Sequence, residues 1–473
     1  MVQALWTIDE IVAATGGCLE GEPSDVSGVS IDSRTVAPGD LFIAIKGDSF
    51  DGHDFVAAAL EAGASAALVS DEKASDIETP RGGLVIVPDA YDGMVALARA
   101  ARERTKARIL AITGSVGKTS TKETFRLILS GFGVTHAPVK SFNNHWGVPL
   151  TLCRMPRDAD FGVFEIGMNA RGEIAPLSRL VRPDLAMITT VAAVHLENLG
   201  SLEAIAREKS DIFEGFENGG IAVLHGDLDL SQLLIDRAKG CGADQVLTFG
   251  HGAGLDAELL QVALLPHCSS VNARITGREL TYKVGAPGEH LVINSLGVLA
   301  ACSALGIDLA RAGMALASMK QPEGRGRQHI LDTAGDPITL LDESYNANPA
   351  SVEAALMVLS RMPVGPRGRR IAVLGDMLEL GEQAEAMHAG LAQALVAAKV
   401  DKVFASGSLM RALWRVVPLD MRGHYGASAH ELAQPMLDDL TPGDAVMVKG
   451  SLGSKMGPLV EKIIDRFSSA ERA

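Results

Sequence analysis

Residues Ile109–Leu129 read ILAITGSVGKTSTKETFRLIL, an apolar run that enters a glycine-containing turn and leaves it with helical periodicity. The run predicts a buried strand and the remainder a helix, with Thr113-Gly114-Ser115-Val116-Gly117-Lys118-Thr119-Ser120 at the junction. A phosphate-binding loop is the expectation. Gly114 and Gly117 let backbone N–H groups turn inward around phosphate oxygens, and the helix start adds its positive end. Lys118 would reach the β- and γ-phosphates of a nucleotide, and the Thr119 hydroxyl would hold Mg²⁺. The spacing departs from the GxxxxGK[ST] pattern: Ile112 stands where the first glycine is wanted, and Gly114 takes over.

Working outward, FGVFEIG (161–167), DLAMITTV (184–191) and GIAVLHGD (220–227) are further apolar runs bounded by turn signals. Separated by helical patterns, they predict a parallel sheet covered on both faces, closed by a helix around INSLGVLAACSALG (293–306). Upstream, GVSIDSR, DLFIAIKG, FVAAALEAGASAALVS and GLVIVPD predict short strands and helices of a smaller α/β unit, which ends at the charged stretch 102–108. Downstream of QPEGRGRQ (321–328), the runs ITLLDESY, RRIAVLGDM, DKVFASG and DAVMVKGS predict a doubly wound, Rossmann-like unit. The fold class is therefore α/β, with expected domains 1–106, 107–319 and 320–473 and clefts at their interfaces.

The chain has 473 residues, 43 Lys and Arg against 58 Asp and Glu, and a net charge of −15. Such a surface repels a nucleic-acid backbone on average. A nucleotide needs only a local positive pocket. No apolar run is long enough to span a membrane, and the start MVQALWTIDEIVAATGG lacks a basic leader segment, so a cytoplasmic protein is expected. The five cysteines have no CxxC spacing and read as reduced core thiols, not a metal or disulfide set.

Three residues suggest a metal shell. Glu165 lies inside an apolar strand, where a carboxylate wants a metal, an arginine or a helix end. His195 follows a strand, at the end where α/β sites are built. Lys209 falls on the same stripe as Leu202, Ile205, Ile212, Phe213 and Phe216 of the helix expected after Ser201. Buried there, its pKa would drop and a neutral amine could take up CO₂ as a metal-binding carbamate. At the stripe's edge it would instead snorkel to water.

TGSVGKTS (113–120), FEIGMNARGEI (164–174), VAAVHLENLGSLEAIAREKSDIF (191–213) and DESYNANP (342–349) together resemble the Mur ligase family of amide-forming synthetases, in the right order and over nearly the whole chain. The resemblance implies a three-domain architecture: a UDP-substrate domain, a central ATPase domain and a C-terminal domain that closes over ATP. Within the family, Asp32-Ser33-Arg34 with DGHDF (51–55), KSFNNHWGVP (140–149), and DESYNANP with LGDMLELG (374–381) are similar to members that add D-alanyl-D-alanine to UDP-N-acetylmuramoyl-tripeptide. ATP would activate the tripeptide carboxylate as an acyl phosphate, and the dipeptide amine would displace phosphate.

The resemblance also implies roles, residue by residue. Lys118, Glu165, His195 and Lys209 would be catalytic. Thr119, Glu165, His195 and carbamylated Lys209 would serve two Mg²⁺ ions. ATP would be held by 113–120, Asn294 at the base, Arg325 at the hinge, and Asp342, Tyr345 and Asn346, with the choice between Asp342 and Glu343 open. Lys449-Gly450-Ser451 would help close the site or form a plain turn. Ser33, Arg34, Gly47, His53, Asn143 and Asn144 would hold the UDP-linked substrate, the alternative for Asp32-Ser33-Arg34 being a turn with an internal salt bridge. A monomer is expected. Whether the tripeptide carries diaminopimelate or lysine is left open.

Other readings predict different features. The family members that add the third residue carry an Asp-Asn/Asp-Pro-Arg motif, which this sequence lacks. Folylpolyglutamate synthase lacks an N-terminal UDP domain. A P-loop switch would hydrolyse nucleotide without a second substrate.

Overall fold

The computed structural model describes residues 4–468 except 48, 78–81, 140, 195 and 218. Three sheets succeed one another along the chain. The first runs Cys18–Gly21, Gly83–Val87, Ala66–Ser70, Asp40–Ile43, Gly28–Ser30, with only its first pair antiparallel.

In the second sheet the strands Gln245–Gly250, Ile221–His225, Leu185–Ile188, Arg108–Thr113, Phe161–Glu165 and Thr135–His136 lie side by side and parallel. Arg108–Thr113 is central. Its side chains alternate between two cores: Ile109 and Ala111 pack on one face, Leu110 and Ile112 on the other. That two-sided burial is why the run is uniformly apolar, each buried Ile or Leu contributing about 1.5–3 kcal/mol. Ala257–Leu264, Ser269–Ile275 and Arg278–Val284 extend this sheet as an antiparallel meander that the sequence reading did not anticipate. One of its faces is solvated, so its strands lack a continuous apolar run. The expected closing helix spans Glu289–Ala304, and a further helix, Leu309–Leu316, follows it.

The third sheet runs Arg327–Leu331, Ile338–Glu343, Ala445–Lys449, Arg370–Gly375, Lys402–Ser406, Arg422–Gly426, parallel apart from its first strand. Its strands also divide their side chains between two cores, Leu341 and Leu374 on one face and Leu340 and Val373 on the other. The first and second units share a core in which Trp6 and Leu41 pack with Val148 and Leu150; Trp6 Nε1 donates to the Cys153 carbonyl at 2.8 Å.

Two smaller expectations need correction. Leu202 opens the helix Leu202–Ser210 but is 46 % exposed, because the helix turns its first residue away from the core. The thiols are not all in cores: Cys153 and Cys302 are buried, whereas Cys18 is exposed on an edge strand.

Candidate functional site

The glycine loop forms as the central strand ends. Gly114 has φ +150°, and a side chain there would meet Thr189 Oγ1 at 1.9 Å; Gly117 has φ +87°, and a side chain would meet Asn294 Nδ2 at 2.5 Å. Only glycine fits both the backbone and the space. The helix Lys118–Leu129 starts from Gly117 with no side-chain cap, which leaves its first N–H groups facing the cleft. Ser115 pins the loop from behind: its N–H donates to the Thr190 carbonyl at 2.9 Å, and its Oγ accepts from Ala192 N at 2.9 Å. Thr189 Oγ1 donates to the Val116 carbonyl at 2.6 Å. Thr113 is buried at the strand end and Ser120 Oγ donates to Gln321 Oε1 at 3.2 Å.

Parallel pairing brings the carboxylate to this loop. The register sets Ile112 beside Glu165, so Glu165 ends its strand next to the loop. Thr119 Oγ1 donates to Glu165 Oε2 at 3.0 Å and Asn143 Nδ2 to Glu165 Oε1 at 2.7 Å. Thr119 Oγ1 also lies 3.0 Å from Ser141 Oγ, to which Arg325 Nη2 donates at 3.2 Å. This chain of contacts links the central domain to the hinge before the third sheet. Lys118 Nζ donates to the Gly114 carbonyl at 2.7 Å. Desolvation lowers the Lys118 pKa, Glu165 opposes the shift, and Arg325 adds to it.

Lys209 is 2 % exposed, so it is buried and does not snorkel. Desolvation, reinforced by the nearby Lys118, holds its pKa well below the ordinary lysine range. Its neighbour Glu208 accepts from the N–H groups of Gly172, Glu173 and Ile174 at 2.8, 3.1 and 3.2 Å. His195 lies outside the described residues. Among the described residues no group of three or more His, Cys, Asp or Glu is placed to hold a metal; Glu165 and the Thr119 hydroxyl supply adjacent oxygen donors.

A cavity of about 410 Å³ opens between the second and third sheets, lined by the loop 115–118, Asn143, Asn144, Glu165, Arg325, Glu343, Tyr345, Asn346 and Lys449. The third sheet's register pairs Glu343 with Lys449, and Lys449 Nζ donates to Glu343 Oε2 at 3.1 Å and to the Asn346 carbonyl at 2.9 Å. Arg325 stacks over Tyr345 with its guanidinium carbon 4.2 Å from the ring centre. A more apolar pocket of about 360 Å³ adjoins the cavity, sharing Val116, His290, Glu343 and Ser351 with it and adding Asn294, His225 and Met357.

Three family models match the chain in order: the Mur ligase family catalytic domain over 25–105, the Mur ligase middle domain over 112–302, and the Mur ligase glutamate ligase domain over 326–452. The chain is 32 % identical over 462 residues to the UDP-N-acetylmuramoyl-tripeptide--D-alanyl-D-alanine ligase of Bacillus subtilis, covering 97 % of each chain. The chain belongs to the Mur ligase family. Its three-domain architecture is that of a crystal structure of MurF from Acinetobacter baumannii, with TM-score 0.84, 28 % identity, and 97 % of this chain and 99 % of that one covered. The structure of MurF from Thermotoga maritima in complex with ADP is also similar, with TM-score 0.77, 25 % identity, and 94 % and 98 % covered.

Set in this Mur ligase, the expected site residues divide. Residues 115–118 and Ser120 of the loop, Glu165, Asn143, Asn144, Asn294, Arg325, Tyr345 and Asn346 line the two pockets, with Thr113 and Thr119 buried behind them. Asp342 does not. It is 5 % exposed, and its carboxylate accepts from Gly324 N at 2.8 Å and from Ser344 N and Oγ at 3.1 and 2.6 Å. Alternation along the strand turns Glu343 into the cavity in its place. His53 is buried, with Nδ1 2.6 Å from Asp51 Oδ1 and Nε2 accepting from Ser70 N at 3.0 Å. It ties a loop to a strand and has no ring nitrogen left for a ligand. Arg34 forms the internal salt bridge with Asp32 at 2.7 Å, its side chain 85 % exposed, and Ser33 opens the turn that Asp32 caps. Gly47 packs on Trp146, whose ring carbon lies 3.1 Å from a side chain built there.

Ser141, Gln321, His290 and Ser351 were not singled out from sequence, yet each borders the site. Ser351 alone carried a signal: Asn348-Pro349 opens the helix Pro349–Arg361, with Asn348 and Ser351 as a reciprocal cap.

Proposed function

We propose that this chain is an ATP-dependent ligase that joins D-alanyl-D-alanine to UDP-N-acetylmuramoyl-tripeptide, giving the UDP-pentapeptide, ADP and phosphate. The observation that carries the reading is the single cavity in which an uncapped phosphate loop, the Thr119–Glu165–Asn143 cluster and the third domain's Arg325, Glu343 and Lys449 converge. The ADP complex of the similar Thermotoga maritima MurF supports a nucleotide there.

In this reading the loop N–H groups and Lys118 hold the β- and γ-phosphates, while the adjoining apolar pocket takes the base beside Asn294. Lys118 leaves the Gly114 carbonyl for the phosphate, a stronger charge-assisted partner. Arg325, already reaching across to Ser141, sits where it can neutralise the transferring phosphoryl group. The γ-phosphoryl group passes from ATP to the tripeptide carboxylate, releasing ADP. The dipeptide amine then attacks the acyl carbon, loses a proton, and expels phosphate as the tetrahedral adduct collapses. Holding the reactants in line and excluding water is the protein's main contribution.

Thr119 and Glu165 fit Mg²⁺, which prefers hard oxygen donors from one or two carboxylates plus substrate phosphates. Bound there, the ion would neutralise crowded phosphate charge. His195 takes its place as a ligand of a second ion from the family resemblance alone. A neutral Lys209 amine adds to CO₂ and loses one proton, which leaves a carbamate anion where a plain ammonium would repel the metal. Selective ¹³C labelling with bicarbonate reads that adduct directly: a carbamate resonance that disappears in K209A supports it, and no resonance removes it.

Residues 1–106 would hold the UDP moiety, 107–319 ATP, and 320–473 would close over ATP and bind the dipeptide. Asn143 and Asn144 would meet the tripeptide end of the substrate. Among the described residues no helix is long and apolar enough to cross a membrane; a cytoplasmic location, where ATP is at hand, is part of the proposal. A monomer is part of the proposal. Phosphate release with ATP and Mg²⁺, the two other substrates added singly and together, tests the reading. Release that requires both, with the UDP-pentapeptide in the mass spectrum, is expected; release indifferent to both overturns it.

A further inference from the structure

One hydroxyl joins the phosphate loop to the third unit. Ser141 lines the cavity between the second and third sheets. Its Oγ lies 3.0 Å from Thr119 Oγ1 and accepts from Arg325 Nη2 at 3.2 Å. Arg325 belongs with the third unit. On either side of it, Gly324 N donates to Asp342 Oδ2 and Gly326 N to the Asp342 carbonyl, each at 2.8 Å. Its guanidinium also stacks on Tyr345, 4.2 Å from the ring centre. Thr119 and Glu165 belong to the second unit, so Ser141 stands where the two units meet.

The partners fix the direction of every proton in this chain of contacts. A guanidinium only donates and a carboxylate only accepts. Thr119 has one hydroxyl hydrogen, and it goes to Glu165 Oε2 at 3.0 Å. Ser141 therefore donates to Thr119 and accepts from Arg325. A hydroxyl oxygen has two lone pairs. On Thr119 one takes the Ser141 proton, which sets the direction of the other beside the Glu165 carboxylate. Ser141 also shares its segment with Asn143, whose Nδ2 donates to Glu165 Oε1 at 2.7 Å and whose carbonyl accepts from Gly167 N at 2.8 Å. Segment 141–143 thus steadies both oxygen donors from one side, and Ser141 is the member that touches the third unit.

We propose that Ser141 is a positioning residue for the metal: it passes the hold of Arg325 on to Thr119 and so sets the Thr119 lone pair toward Mg²⁺. The proposal rests on the reading of Thr119 and Glu165 as the oxygens that meet the ion. Ser141 acts through Thr119 and not on the reacting atoms. Arg325 keeps the rest of its fork for phosphoryl oxygens. Hydrogen bonds in such a chain polarise one another, so losing one end loosens the other. Metal affinity and the Arg325 contact are then linked, and linkage works in both directions. The ion is held best when the third unit is docked.

Metal binding, not turnover, is the readout. Mn²⁺ replaces Mg²⁺, and free Mn²⁺ is counted by electron paramagnetic resonance with the full chain saturated by ADP. Wild type, S141A, R325A and the double variant form a cycle. S141A should weaken Mn²⁺ binding about fivefold, the size of one hydrogen bond. In the R325A background the same change should cost about twofold or less, because Ser141 has already lost its anchor. The cycle cancels the direct repulsion between guanidinium and ion, which is common to both backgrounds. Unchanged Mn²⁺ affinity in S141A overturns the proposal, and so do equal losses in the two backgrounds. A wild type that holds no Mn²⁺ with ADP overturns it together with the metal reading. ADP affinity without metal should stay within about twofold of wild type; a fall as large as the fall with metal means that the loop itself has moved, and overturns it too. Should S141A not fold, S141C, of nearly the same size and a weak hydrogen-bonding group, takes its place with the same outcomes. Product is scored separately. A coupled cycle without UDP-pentapeptide from ATP and the two other substrates removes the ligase reading and leaves the relay in place, whereas product with additive losses keeps the reading and removes the relay.

Discussion

Two loops of this protein follow parallel strands and were both expected to hold phosphate, yet they differ in what their side chains do. After Arg108–Thr113, the glycines force a backbone that leaves N–H groups uncapped, and Lys118 rests on a carbonyl that a phosphate would replace. After Gly28–Ser30, Asp32 caps its own turn and forms a paired, two-pronged contact with Arg34. A binding loop carries unsatisfied donors held in place by rigid neighbours. A loop whose charges already answer one another is first a turn. The presence of an arginine does not distinguish the two; the position of its nearest carboxylate does.

The sharpest way to break this comparison is Lys118→Ala. Product formation should fall at least about 100-fold in kcat/KM, as for other removed charge-stabilising groups, and a tenfold loss or less would put the phosphate elsewhere. Gly114→Ala comes next. A methyl group 1.9 Å from Thr189 Oγ1 cannot be housed without moving the loop, so ATP binding measured by calorimetry should weaken at least about tenfold. Asp342→Asn against Glu343→Gln separates a structural from a ligand-facing carboxylate on adjacent residues. The Asp342 change should cost about 1–3 kcal/mol in denaturant unfolding, because it disturbs three buried hydrogen bonds. The Glu343 change should act on turnover instead, and the reverse outcome would show the two roles misassigned. Arg34→Ala should do least. Its melting temperature should not change, since the pair is exposed. A severalfold rise in KM for the UDP-linked substrate alone would show that the arginine leaves Asp32 for the diphosphate.

Much of this was legible in the sequence because local chemistry constrained it. The apolar runs of the parallel strands could be read because both faces are buried, and the phosphate loop because glycine at positive φ has few substitutes. Lys209 was legible as a conflict, a charge on an apolar stripe, and burial decided it. The meander 257–284 was harder to read, since one-sided burial scatters its apolar residues. His53 misled for a different reason: whether an imidazole binds a ligand or a backbone depends on Ser70, 17 residues away along the chain.

By itself, then, the amino-acid sequence determined the three α/β units, the loop and the family, because periodicity, glycine conformations and motif order are properties of neighbouring residues. Only the tertiary structure decided which carboxylate of Asp342 and Glu343 faces the cavity, that Arg325 spans to Ser141, and that His53 is tied to Ser70. Those outcomes depend on which hydrogen-bond partners arrive from distant segments, and a buried polar group's role is set by the partner it lacks as much as by the one it has.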